Sequence, residues 1–169
     1  MKRHPVSANP SDERYTPPDI FDALGMMFDL DPCSPGPGHW VPARNVYTIE
    51  DDGLAQPWAG TVFMNPPSAE RHGHVPWLRK FLDHGDGIGL VNALTSADWF
   101  HDHLYRADAL LFPRGKTRFF APGGKQLGAP WTGVVLIGMG ERCVAALLKS
   151  GLGLCMVHAP GRQTEDSGG

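Results

Sequence analysis

The feature that most constrains this chain is an alternation: short apolar runs, each cut off by an acid, an asparagine, a glycine or a proline, separated by segments with one apolar face. Runs of about four to eight apolar residues between turn formers read as buried strands, and apolar positions three and four apart read as helices. "MFDLDPC", "VYTI", "GTVFM", "GIGLVNA", "DALLFP", "GVVLIGMG" and "GLCMVHA" make up the first set. "VPWLRKFLDHG", "SADWFHDHLYR" and "ERCVAALLKSG" belong to the second, with "TPPDIFDALG" before them. In that helix Thr16 is placed to cap, Pro17 and Pro18 suit the first turn, Ile20, Phe21 and Leu24 form the apolar stripe, and Gly25 stops it. Strands alternating with helices predict an α/β fold with a mostly parallel central sheet flanked by helices.

Length and composition narrow the function classes. A chain of 169 residues suits one domain, and 41% apolar content with five Trp and eight Phe excludes a disordered polypeptide. With a net charge of -3, contact with an acidic partner has to rest on a local basic patch. Cys33, Cys143 and Cys155 lie far apart without CxxC spacing, which argues against a disulfide framework and against a strong metal motif, and predicts a reducing cytoplasm. No segment approaches membrane-spanning length. Residues 1–10 and 160–169 are polar and read as flexible tails, leaving 11–159 as the folded domain.

In parallel sheets ligands bind beyond the carboxyl ends of the strands, so chemistry is sought there. "FDLDP" puts Asp31 at one strand end and "VFMNPPS" puts Asn65 at another. A residue before proline is pushed towards extended geometry, which aims Asn65, and Pro66 presents a carbonyl without a competing N–H. Two acceptors at one spot suit an exocyclic aromatic amine: accepting both of its hydrogens draws the nitrogen lone pair out of ring conjugation, with no titrating base required. As an isolated tripeptide, "NPP" reads first as a turn that ends a strand, since such matches occur often by chance.

"DERYTPPDIFDALG", "FDLDPCS", "YTIEDDGLAQPWAG", "VFMNPP", "PWLRKFLDHGDGIGLV", "TSADWF" and "ADALLFPRGKTRFF", in this order, resemble the phage-type Dam family of DNA adenine N6-methyltransferases, found in phages and prophages. The resemblance runs from about Asp12 to Gly140. It implies a compact S-adenosylmethionine-dependent methyltransferase (Rossmann-like) fold, DNA as substrate, a bacterial cytoplasm as location, and Asn65, Pro66, Pro67 and Ser68 as the amine-methylating element. Tyr15 and Thr16 then fall in the segment that helps to hold the methionine part of the cofactor. Asp31 and Pro32 fall in the first cofactor motif, with Asp31 as partner of the methionine ammonium, and Asp51 or Asp52 faces the ribose hydroxyls or the adenine amine. The chain departs from the family twice. "DPCSPGPG" replaces the usual D-P-F-x-G-x-G, and Ser68 replaces an aromatic that stacks on the extruded base, a contact worth roughly 1 to 3 kcal/mol. Trp77 and Trp99 are candidate substitutes for that ring.

"FPRGKTRFFAPGGK" supplies Arg114, Lys116, Arg118 and Lys125 among Phe119, Phe120 and glycines, a mixture that suits phosphate contact with stacking, or else a solvated hairpin with core phenylalanines. Arg71, His72 and His74 also lie near the candidate catalytic loop. Two rival readings remain: a methyltransferase-like fold that no longer reacts, and a zinc-stabilised nucleic-acid-binding module using His72, His74, His84, His101, His103 and Cys143. An H-x-H pair on a helix splays its rings to different faces, which favours surface histidines over zinc ligands.

Overall fold

The computed structural model describes residues 14–67 and 73–159. Helix α1 (Pro18–Leu24) begins with a proline in its first turn and ends at Gly25, whose φ of 59° takes the left-handed conformation that a Cβ would strain. Pro17, not Thr16, occupies the N-cap, and no side chain caps this helix. The Thr16 hydroxyl instead accepts a hydrogen bond from Asn65, so the expected cap is replaced by a long-range contact.

The remaining elements follow as β1 (Phe28–Asp31), β2 (Ala43–Val46), β3 (Val62–Met64), α2 (Val75–His84), β4 (Gly87–Asn92), α3 (Asp98–Leu104), β5 (Ala109–Pro113), β6 (Val134–Met139), α4 (Glu141–Lys149) and β7 (Gly153–Val157). The strands form one seven-stranded sheet in the order β2-β1-β3-β4-β6-β5-β7. One strand was expected over Val46–Ile49, yet β2 occupies Ala43–Val46, paired with β1 through Phe28↔Ala43 and Asp31↔Val46. This strand lies at the sheet edge and is largely exposed, so its position is set by pairing rather than by an apolar pattern.

The sheet is mixed, not mostly parallel. Pairings β2·β1, β1·β3 and β3·β4 are parallel, whereas β4·β6, β6·β5 and β5·β7 are antiparallel. A parallel return needs a crossover, usually helical. After β5 the chain has no such helix; it comes back through residues 114–133 directly into β6, between β4 and β5. β6 and β7, joined by α4, share that reversed direction.

Helices cover both faces. Ile20, Phe21 and Leu24 of α1 and Cys143 and Leu147 of α4 pack on Phe28, Phe63, Ile88 and Leu136. Leu78, Phe81 and Leu82 of α2 and Trp99 and Leu104 of α3 pack on Leu30, Val62, Met64 and Ile137. Within β3, Val62 and Met64 face one layer and Phe63 the other, the two-residue alternation of a strand buried on both sides. This mixed α/β architecture is compatible with a methyltransferase fold. Among the described residues no helix is long and apolar enough to cross a membrane.

Candidate active site

Strand β1 lies between β2 and β3, so the chain leaves β1 towards one side of the sheet and returns on the other. The carboxyl ends of β1 and β3 therefore flank a switch point, where a crevice forms in open α/β sheets. Asp31 is the last residue of β1 and Asn65 the first after β3.

The Asn65 amide is held from one side. Its Nδ2 donates to the Arg14 carbonyl at 3.0 Å and to Thr16 Oγ1 at 3.2 Å. A carbonyl only accepts, so the nitrogen end of the amide has to face the 14–16 segment, and Oδ1 is kept as an acceptor. Among the described residues no donor is bonded to Oδ1. Pro66 is buried and Pro67 exposed. Ser68, Arg71 and His72 lie outside the described residues.

Asp31 was expected to face ligand rather than core, yet its residue is only 3% exposed. Its Oδ1 accepts from the Cys33 backbone N–H at 3.0 Å, and among the described residues no lysine or arginine forms a salt bridge with it. Burial raises its carboxyl to about 7, the Cys33 hydrogen bond opposing the rise. Cys33 sits between the two strand ends: burial and the Asp31 charge push its thiol up, against a hydrogen bond from the Asn65 backbone N–H. The divergent loop after Asp31 turns on Gly36 and Gly38, with φ of 98° and 93°. It is tied to the chain beyond β2 by Tyr47 N–H to the Asp31 carbonyl at 2.9 Å and Ser34 N–H to the Tyr47 carbonyl at 3.0 Å.

The two acids of "DDG" are exposed, and the Asp51 carboxylate is engaged in its own turn. Asp51 Oδ2 accepts from Thr48 N at 2.7 Å and Thr48 Oγ1 at 2.9 Å, which holds its carboxyl below the usual range. Asp52 adopts a φ of 55°, and its carbonyl receives the Ala55 N–H at 2.8 Å. Gly53 lies so close to Pro32 that a Cβ would collide with the Pro32 carbonyl oxygen, which brings this turn against the Asp31 loop. Lys80 of α2, missed by the sequence reading, fixes the same turn: its Nζ donates to the carbonyls of Leu54 at 2.7 Å and of Gln56, and lies 5.0 Å from the centre of the Trp58 ring. Its position within an amphipathic helix gave no local signal of that role.

Tyr15 and Thr16 are buried beside Asn65. Tyr15 exchanges backbone hydrogen bonds with Phe120, N–H to carbonyl at 2.8 and 3.0 Å, and Trp40 packs edge-on against both rings while its Nε1 donates to the Thr16 carbonyl. The basic loop is thereby anchored to the segment that holds Asn65. Its phenylalanines are structural: Phe119 is 6% exposed in the core and Phe120 is packed on Trp40. Lys116 Nζ donates to the carbonyls of Pro130 at 2.9 Å and Trp131 at 2.7 Å, closing the loop. Arg114, Arg118 and Lys125 are exposed. Trp99 is buried and Trp77 half-buried against Trp58, whereas Trp131, which the sequence reading passed over, is 76% exposed.

Three of the histidines, His74, His84 and His101, serve packing and turns. His74 packs edge-on against Trp99, His84 Nε2 lies 2.7 Å from the Gly60 carbonyl, and His101 Nε2 lies 2.7 Å from the Thr95 carbonyl. Among the described residues no group of three or more His, Cys, Asp or Glu is placed to hold a metal ion.

A comparison with curated proteins gives no match. The family model for DNA N-6-adenine-methyltransferase (Dam) matches residues 6–134, a span that takes in the 14–16 segment, both strand ends at the switch point and the whole basic loop. The chain is therefore a member of the DNA N-6-adenine-methyltransferase (Dam) family.

Proposed function

We propose that this protein transfers a methyl group from S-adenosylmethionine to the N6 amine of adenine in DNA. The observation that carries this reading is the Asn65 amide, pinned through Nδ2 so that Oδ1 remains an acceptor at the switch point, in a chain of the Dam family. The crevice suits the cofactor on one ground in particular: Asp31 is a buried carboxylate with no cationic side chain bonded to it among the described residues, and an ammonium group satisfies such a charge. Asp31 and Pro32 would hold the methionine end, with Tyr15 and Thr16 alongside and the Asp51–Asp52 turn nearest the ribose. The cofactor supplies an electrophilic methyl group on a sulfonium.

The protein's part in the reaction is positional. Asn65 Oδ1 and the Pro66 carbonyl accept the two hydrogens of the adenine amine, which localises the nitrogen lone pair for attack; Pro67 stiffens the turn and Ser68 follows it. Fixed acceptors of this kind act where charge develops and need no reorganisation during reaction. Arg114, Arg118 and Lys125, with Arg71, meet phosphates, while Lys116 shapes the loop that presents them.

Incubation of the protein with unmethylated DNA and isotopically labelled S-adenosylmethionine, followed by mass spectrometry of the nucleosides, tests this. Labelled N6-methyladenine is expected. A different methylated base, or none, overturns it. Ser68, in place of the family's aromatic, favours one second reading, a degenerate member, recognised by cofactor binding without product.

A further inference from the structure

Four of the five tryptophans have places in the fold. Trp40 is wedged between Tyr15 and Phe120, Trp58 stacks on Trp77 with ring centres 6.4 Å apart, and Trp99 is 5% exposed among core residues. Trp131 is 76% exposed, the most open large apolar side chain among the described residues. Its backbone is nevertheless fixed from both sides: Lys116 Nζ holds the Pro130 and Trp131 carbonyls, and the Gly133 carbonyl receives the Ala93 N–H at 2.9 Å, just past β4.

Its location follows from the topology. β6 is antiparallel to both β4 and β5, so β5 points the same way as β3 and β4, and residues 114–133 leave the sheet at the end where Asn65 lies. β3 and β6 are separated by β4 alone, two strand spacings or about 10 Å. A solvent-facing indole on a loop with an anchored backbone thus lies at the Asn65 end of the sheet, and the same loop carries the exposed cations Arg114, Arg118 and Lys125. Aromatic faces among cations are what single bases and unstacked duplex steps bind.

We propose that Trp131 stacks on a DNA base next to the extruded nucleotide, a contact separate from the one that an aromatic in place of Ser68 would make with the extruded base. This rests on the reading of the protein as a DNA methyltransferase. An adenine that leaves the duplex leaves its neighbours with an open face, and Trp131 is the exposed indole at this end of the sheet that can cover it.

The test is the affinity of wild type, Trp131→Ala and Trp131→Phe for a fluorescein-labelled duplex of randomised sequence, with thermal melting and light scattering on each protein. Trp131→Ala is expected to weaken DNA binding roughly 5- to 150-fold, the range of one base–aromatic stack, with Trp131→Phe close to wild type. Melting temperature and S-adenosylmethionine affinity should be unchanged. Equal DNA affinity of wild type and Trp131→Ala overturns the proposal, as does a change of oligomeric state without a change in DNA affinity, which assigns the indole to a protein contact. Wild type that binds no DNA overturns the methyltransferase reading beneath it.

Discussion

The switch point at Asn65 and the loop from Arg114 to Gly133 occupy the same end of the sheet and are built in opposite ways. At the switch point the polar groups are shielded and individually fixed: Asp31 is 3% exposed, and Asn65 is held by two acceptors from a distant segment. In the loop the frame is fixed, by Lys116 and the Tyr15–Phe120 pair, while Arg114, Arg118, Lys125 and Trp131 project into solvent. The difference suits the two tasks proposed for these regions. Positioning one amine requires acceptors that do not move, whereas a polyanion of varied sequence is met by charges free to adjust.

Removing the best-fixed acceptor tests this contrast most severely. Asn65→Ala should lower turnover roughly 100- to 1000-fold, the usual effect of losing one preorganised transition-state partner, with cofactor and DNA affinities maintained in equilibrium binding assays. Unchanged turnover in an active protein would reduce "NPPS" to a strand-ending turn.

Asp31→Asn comes next. Hydrogen bonds to charged groups are worth about 1.5 to 3 kcal/mol, so S-adenosylmethionine affinity by calorimetry should fall roughly 10- to 150-fold. The pH dependence sharpens the assignment. With its carboxyl raised to about 7 by burial, Asp31 is largely neutral in mildly acidic solution, and an ammonium ligand needs it ionised. Affinity should therefore rise as pH increases towards 7, by up to about tenfold per unit on the acid side, and Asp31→Asn should flatten the rise. The sign for folding is opposite. A carboxyl whose folded pKa is raised binds a proton that the unfolded chain has released, so ligand-free wild type loses stability between about pH 4 and 7, a loss absent in Asp31→Asn.

The loop should answer differently. For each phosphate contact that Arg114→Ala, Arg118→Ala or Lys125→Ala removes, the slope of log affinity against log salt should fall by about 0.9, with turnover at saturating DNA maintained. A loop charge whose removal left the slope unchanged would be a solvated charge only. The smallest expected effect returns to the crevice. Thr16→Val removes one of the two partners of Asn65 Nδ2, and a net hydrogen bond worth about 0.5 to 1.5 kcal/mol corresponds to a loss of roughly 2- to 12-fold in turnover.

Much of this arrangement was legible along the chain because it depends on local chemistry. Apolar runs marked the interior strands, Gly25 and Gly85 the helix stops, and the sequence Asn65-Pro66-Pro67 the end of strand β3. Edge strand β2 was misplaced because an exposed strand carries no burial pattern, and the antiparallel half was missed because direction depends on whether a connection crosses over or turns back. The sequence by itself determined which residues end strands and what those side chains can do. Only the tertiary structure decided that Thr16 serves Asn65 rather than its own helix, that Asp31 is buried, that Asp51 is engaged in its turn, and that Trp131 alone among the tryptophans remains largely exposed. Each of those outcomes depends on residues far apart in the chain meeting or failing to meet, and a hydroxyl, a carboxylate or an indole has the same local preferences whichever partner the fold brings to it.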